Sequence, residues 1–287
     1  MIVMKNILIL TDFSENSWNS ITYVLALSEN RNCNFYLLNG INSYENEFED
    51  QSSNQLLLVK NKNEKDSKKE FAKLKDKINN FPLKGNHKFF PIIAETNIID
   101  AARAQIIEKK INLVVIGTNG MLSNGKQNNI SPIAEDIITK LKSSILVVPF
   151  EARFNGMKEI AFPTDYTNFS EGKLLQNLTN VISYYQCSTR FVYMAKNSAE
   201  LDKEQQWNKE AIHDYFLDLP HSFHNEINEN FELSIENFIK KSNIDLIVMS
   251  AKNLNLFEQI LFRPKIKNIK YYFKTPFLVL HQFNYKE

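Results

Sequence analysis

Three of the seven glycines in this 287-residue chain, Gly117, Gly120 and Gly125, fall within nine positions of the stretch VVIGTNGMLSNGKQNN. Glycine lets backbone turn sharply or approach a ligand closely. A glycine loop feeding a helix start at Ser131-Pro132-Ile133 offers amide N–H groups and a positive dipole end to an anion such as phosphate. The spacing is not that of a Walker loop, because no G-K-[ST] follows, nor of a G-x-G-x-x-G dinucleotide turn. Asp12 ends the first apolar run and supplies a carboxylate at the same end of the fold. A phospho-accepting receiver would need a second acid beside Asp12 and a lysine after the last strand, where Phe13 and Pro149 stand instead. Asp12 also suits a plain structural role, as a charge complementing a helix N-terminus.

Other chemistry is thinner. His213, His221 and His224 lie within twelve residues, in HDYFLDLPHSFH. If HSFH is a strand, His221 and His224 point to opposite faces and cannot chelate together, so no metal site is expected. His281 is expected at the surface. No Ser-His-Asp order or paired-carboxylate pattern stands out, so no catalytic residue is assigned and no enzyme activity is expected.

The elements that must position these residues alternate. NILIL is a buried strand and Ser14 can cap the helix through WNSITYVLALSEN. NFYLLNG, KFFPIIAE, NLVVIG and SILVVPF follow as strands, with Pro91 marking KFFPIIAE as an edge or irregular position. IIDAARAQIIEKK is an amphipathic helix. Continuous β-branched runs indicate strands covered on both faces, hence a doubly wound parallel α/β sheet. In such sheets ligands bind beyond the carboxyl ends of the strands, where strand order reverses.

The pattern occurs twice. KNILILTDFSENS is echoed by KEIAFPTDYTNFS, INLVVIGTNG by IDLIVMSAKN, and SSILVVPF by TPFLVLHQ. Asp12 and Asp165 are 153 apart but Ile111 and Ile244 only 133, so the first copy carries a surplus of about twenty residues. The surplus is placed in SYENEFEDQSSNQLLLVKNKNEKDSKK. EARFNGMK reads as the linker, with Gly156 as its hinge-like residue.

Composition narrows the function classes. A formal net charge of +1 gives no global field for nucleic acid or an anionic membrane. The basic stretch from Lys60 to Lys77 has interleaved acids and reads as a solvated helix face. Aromatics such as Phe35, Tyr36, Phe89, Phe90, Tyr271, Tyr272 and Phe273 fit packing better than base stacking. Cys33 and Cys187 alone suggest no disulfide framework. MIVMKNILIL lacks the features of a signal peptide, and no apolar run has spanning length. A cytoplasmic location is expected.

The segments ILTDFSENS, FYLLNG, VVIGTNG and SILVVPF, in that order, resemble the universal stress protein family over nearly all of the first copy. FPTDYTNFS, DLIVMSAKN and TPFLVL carry a fainter likeness over the second. The resemblance implies two tandem doubly wound, Rossmann-like (adenine nucleotide alpha hydrolase-like) domains, residues 1–151 and 156–287, fused as a pseudo-dimer. Nucleotide-binding members carry G-x2-G-x9-G-[ST] after the fourth strand to hold ATP phosphates. Gly117 and Gly120 match the first two glycines, Ile130 stands at the third and Ser131 at the hydroxyl. By the same likeness Asp12 lies beside the nucleotide, Gly40 faces the adenine with its backbone, and Ile116 precedes the first glycine.

The departures set the expectation. Ile130 blocks close approach of phosphate and disfavours the positive φ that glycine tolerates. In the second copy Ser250 and Asn253 replace the glycines, Arg263 and Pro264 occupy the later pair, and Asp165 alone is kept. The resemblance therefore implies a stress-response nucleotide-sensing or binding module with at most a weak ATP site in the first copy, an adenine nucleotide being the implied ligand. The alternative is an interaction or scaffold protein whose site has decayed, with protein partners that the sequence does not name. In the family the last strand lies at a sheet edge and mediates dimerisation. Residues near Val147 and Val279 are thus expected to join the two copies, and any further self-association would need another surface.

Overall fold

The structure is a computed structural model that describes residues 5–41, 53–82, 85–118, 131–167, 172–195, 200–227, 231–251 and 274–281, with the side chains of 53–63, 173 and 231–233 outside that description. Gly120, Gly125, Ile130, Asn253, Arg263, Pro264 and the run 271–273 also lie outside the described residues.

The first half runs β1 (Asn6–Leu10), α1 (Glu15–Leu27), β2 (Asn34–Gly40), α2 (Ser53–Asn79), β3 (Lys88–Ala94), α3 (Ile98–Glu108), β4 (Leu113–Gly117), α4 (Pro132–Lys140) and β5 (Ile145–Val148). The second runs β6 (Glu159–Thr164), α5 (Gly172–Tyr185), β7 (Ser188–Ala195), α6 (Lys203–Tyr215), β8 (His221–Ile227), α7 (Phe231–Ser242), β9 (Leu246–Ser250) and β10 (Phe277–Leu280). The ten strands of the described residues form one sheet, in the order β3-β2-β1-β4-β5-β10-β9-β6-β7-β8. Pairing is parallel inside each half, as the apolar strand runs require. Pro91 sits on β3, at one edge of the sheet. α2 has 27 residues and α6 only 13, which accounts for most of the surplus in the first half.

The halves meet through β5 and β10, which pair antiparallel with Val147 opposite Phe277, Leu146 opposite Leu278 and Ile145 opposite Val279. This register follows from symmetry. Two equivalent parallel half-sheets joined edge to edge about a two-fold axis must run antiparallel where they meet. In the repeat Leu146 corresponds to Leu278, so each faces its own counterpart and the pseudo-axis passes between them. The strand edges that would otherwise be open are thereby satisfied within one chain.

Two apolar layers flank the sheet, and each runs through both halves. α1, α2, α5 and α6 cover one face, with Val24, Phe71, Leu178 and Ile212 buried against it. α3, α4 and α7 cover the other, with Ala102, Ile137 and Ile235 buried there. At the seam the Tyr185 hydroxyl donates to the Leu27 carbonyl at 2.9 Å, and the Arg31 guanidinium lies 3.4 Å from the Tyr184 ring centre. Phe154 meets both Tyr23 and Tyr185 edge-on. The linker is tied down rather than loose: the Asn19 amide donates to the Pro149 and Ala152 carbonyls at 2.9 and 3.1 Å. Gly156 takes φ of +99° with nothing near its missing Cβ, so glycine serves there for backbone conformation. Both cysteines are buried and neither forms a disulfide, and burial pushes the Cys187 thiol up to about 11.

One expectation fails here. His281, read as a surface residue, is half-buried at the end of β10, with one ring N–H donating to the Ile138 carbonyl of α4. Its Nε2 is buried and has no hydrogen-bond partner among the described residues. Desolvation holds its pKa below the ordinary 6.5, and burial acts in the same direction on His224. A histidine whose folded pKa is lowered binds its proton less readily folded than unfolded. Stability is complete above the unfolded value near 6.5 and falls as pH drops through that value toward the folded pKa. The thermal midpoint is expected to decline between about pH 7 and pH 5, and His281→Gln should flatten that decline. An unchanged pH slope in the variant would contradict this assignment.

Candidate functional site

In the first half strand order reverses between β1 and β4, so the crevice beyond their carboxyl ends is where a doubly wound fold binds its ligands. The chain after β1 forms one wall. Thr11 Oγ1 accepts the Phe13 N–H at 3.1 Å and shares a hydrogen bond with Ser17 Oγ at 3.0 Å. Asp12 Oδ1 accepts from the Ser14 N–H at 3.0 Å and from its hydroxyl at 2.5 Å, a turn in which the carboxylate holds its own loop. Ser14 then caps α1, its side chain accepting from the Ser17 N–H at 3.2 Å. Phe13 is forced to φ of +62°, and its ring packs edge-on against Phe71 of α2 at 4.9 Å.

This loop is a property of the fold. In the second half Thr164 Oγ1 accepts the Tyr166 N–H at 2.8 Å, and Asp165 Oδ1 accepts from the Thr167 N–H and hydroxyl at 2.9 and 2.7 Å. Tyr166 has φ of +57°. A strained conformation that recurs in the copy with the poorer glycine pattern is set by the Thr-Asp pair, not by a ligand.

Gly117 ends β4 and forms the opposite wall. A Cβ there would lie 2.9–3.0 Å from the side-chain amide of Asn16, in the first turn of α1. The closeness that glycine permits is used by Asn16, a residue the sequence reading did not single out. Ile116, just before it, is a core residue of the layer under α3 and α4.

Ser131 lies beside the end of β4, its N–H donating to the Thr118 carbonyl at 2.7 Å. Ser131 is the N-cap of α4, its hydroxyl oxygen accepting from the Ala134 N–H at 3.2 Å, and Pro132 takes the first helical position. Pro132 has no N–H and Ala134 is capped, so the Ile133 amide and the Ser131 hydroxyl proton are the donors that α4 itself can still turn toward an anion.

Gly40 closes β2 opposite Ala94. The residue before it, Asn39, is buried, donates to the Thr11 carbonyl at 2.8 Å and accepts from Ser67 of α2 at 2.9 Å. A polar residue late in an apolar strand was the available signal for this brace. Asp12 just beyond β1, Gly40 at the end of β2 and Gly117 at the end of β4 thus stand at the carboxyl edge of the sheet. Ser131 caps the helix that follows β4, Ile116 lies in the core, and Gly120 is outside the described residues.

The second crevice differs. The Gln205 side chain donates to the Asp165 carbonyl at 2.9 Å and Asn208 to the Tyr166 carbonyl at 2.7 Å, so α6 ties the loop down. Tyr166 is fully buried, stacked on Tyr193 at 5.3 Å, and Ser250 stands where Gly117 stands in the first half. Among the described residues no group of three or more His, Cys, Asp or Glu side chains could hold a metal ion, and no helix is long and apolar enough to cross a membrane.

Solved structures share this architecture over almost the whole chain. A universal stress protein from Archaeoglobus fulgidus matches with a TM-score of 0.68 and 10% identity, over 98% of each chain. A functionally unknown protein from Pseudomonas aeruginosa matches at 0.57 and 10% identity, over 97% of this chain and 93% of its own. A putative universal stress protein from the same species matches at 0.56 and 11% identity, over 97% and 94%. At such identities the likeness speaks for the fold. No curated protein matches in sequence. The family model for the universal stress protein family, however, matches residues 4–149, which hold all of β1 to β5 and more than half of the chain. With the Thr-Asp loop, the β1/β4 crevice and the capped α4 all inside that match, this chain belongs to the universal stress protein family.

Proposed function

We propose that the protein is a tandem stress-response module that senses or binds an adenine nucleotide, ATP, weakly and in its first half only, without a reaction of its own. The units of the tandem are residues 1–151 and 156–287, and the location is cytoplasmic. The observation that carries the reading is the convergence of Asp12, Gly117 and the Ser131-capped start of α4 on one strand-order reversal. A carboxylate there suits ribose hydroxyls, and the α4 start suits phosphate oxygens. Weakness follows from the same site: few free α4 amides, and Ile130 where the family signature has glycine.

A second reading, an interaction or scaffold protein with a decayed site, is favoured by one contact, the Asn16 amide packed into the space that Gly117 leaves. Titration calorimetry with ATP and magnesium separates the two. One weak site per chain, strengthened in Ile130→Gly, is expected. No heat in either protein would favour the second reading. A tight wild-type site would contradict the role given to Ile130.

A further inference from the structure

The sequence spacing drew attention to His221 and His224, but the structure pairs His221 with His213. His213 lies in the last turn of α6 and His221 opens β8, the outer strand of the second half. His213 Nδ1 and His221 Nε2 are 2.9 Å apart. His221 Nδ1 lies 2.9 Å from the Leu219 carbonyl, which can only accept, so the proton sits on Nδ1. In the neutral ring Nε2 then presents a lone pair to His213. An imidazole with one nitrogen anchored on a backbone carbonyl and the other held outward is how a metal-ligating histidine is oriented.

The separation fits a chelate. Two nitrogens each about 2.0 Å from one metal are about 2.8 Å apart at a right angle and about 3.3 Å apart at the tetrahedral angle. The observed 2.9 Å lies near the first value. To ligate, His213 shifts its ring proton from Nδ1 to Nε2 and both rings turn so that their lone pairs converge. His213 is exposed and free to make that change, while His221 is half-buried against Phe223. Lys209, one turn earlier on α6, places its ammonium 5.3 Å from the Phe223 ring centre and opposes a cation, whereas Asp214 in the last turn of α6 and Asp218 in the connection to β8 favour one. No third side chain among the described residues completes the set, so water fills the remaining positions.

We propose that His213 and His221 form a surface bis-imidazole site for a first-row divalent cation that accepts cis nitrogen ligands, Cu(II) before Zn(II). The site lies in the half that lacks the glycine pattern and is independent of nucleotide. The test titrates the full-length, tag-free chain with Cu(II) and with Zn(II), and records the electron paramagnetic resonance spectrum of the copper form. One Cu(II) per chain with two-nitrogen coordination, tighter than Zn(II), is expected. The site should be lost in His213→Ala and in His221→Ala and kept in His224→Ala, with circular dichroism confirming that each variant is folded. Absence of stoichiometric copper binding, or binding that survives His213→Ala, would overturn the proposal.

Discussion

Replacing Val279 by Asp is expected to remove roughly 4 kcal/mol or more of folding stability, a large part of a typical total. Val279 is buried, pairs with Ile145 across the seam and with Met249 inside its own half. Its neighbours Val147, Ile145 and Phe277 belong to the same apolar layer, which offers no partner for a carboxylate. Both halves share that layer, so the damage spreads to each. A fall in thermal midpoint of about 10 °C or more is expected by calorimetry, with aggregation as the exposed β5 edge seeks another strand. Val279→Ala should show the same direction with a smaller cost, since it removes methyl groups without burying charge. An unchanged melting curve in Val279→Asp would show that the seam does not hold the halves together.

Gly117→Ala is the second large effect, about 1–3 kcal/mol of destabilisation. The added methyl would stand 2.9–3.0 Å from three atoms of the Asn16 side chain, which is itself buried and cannot swing freely into solvent. Either Asn16 leaves its place in the first turn of α1 or the end of β4 moves. The cost should therefore be largely recovered in the double variant Asn16→Ala, Gly117→Ala, because the two changes share one contact. Additive losses in denaturant melts of the double variant would show that Gly117 is required for some other reason. A neutral Gly117→Ala would remove the contact from the account of the site.

Much of the fold was legible because it rests on local pattern. The apolar runs NILIL, NFYLLNG and NLVVIG mark strands covered on both faces, and they are strands to within a residue. The β5 and β10 seam was legible from the repeat only together with the family resemblance, which places the last strand at a sheet edge, where two apolar edges in one chain can cover one another. What was hidden depends on packing between distant segments. Asn16 looks like any polar residue of a first helical turn until β4 arrives beside it. His213 and His221 are separated by the turn from α6 to β8, and strand alternation alone directs attention to the wrong pair. His281 ends a strand, which suggests exposure, but α4 of the other half lies over it. Gln205 and Asn208 carry no motif, yet they fasten the second Asp loop.

The claim that nucleotide recognition belongs to the first half alone is tested most directly by amide hydrogen exchange on the intact chain, with and without saturating ATP and magnesium. Slowed exchange confined to the first crevice, at Phe13 to Ser17, Thr118 and Ile133, is the predicted result. Equal protection at Tyr166 and Thr167 in the second crevice would contradict it.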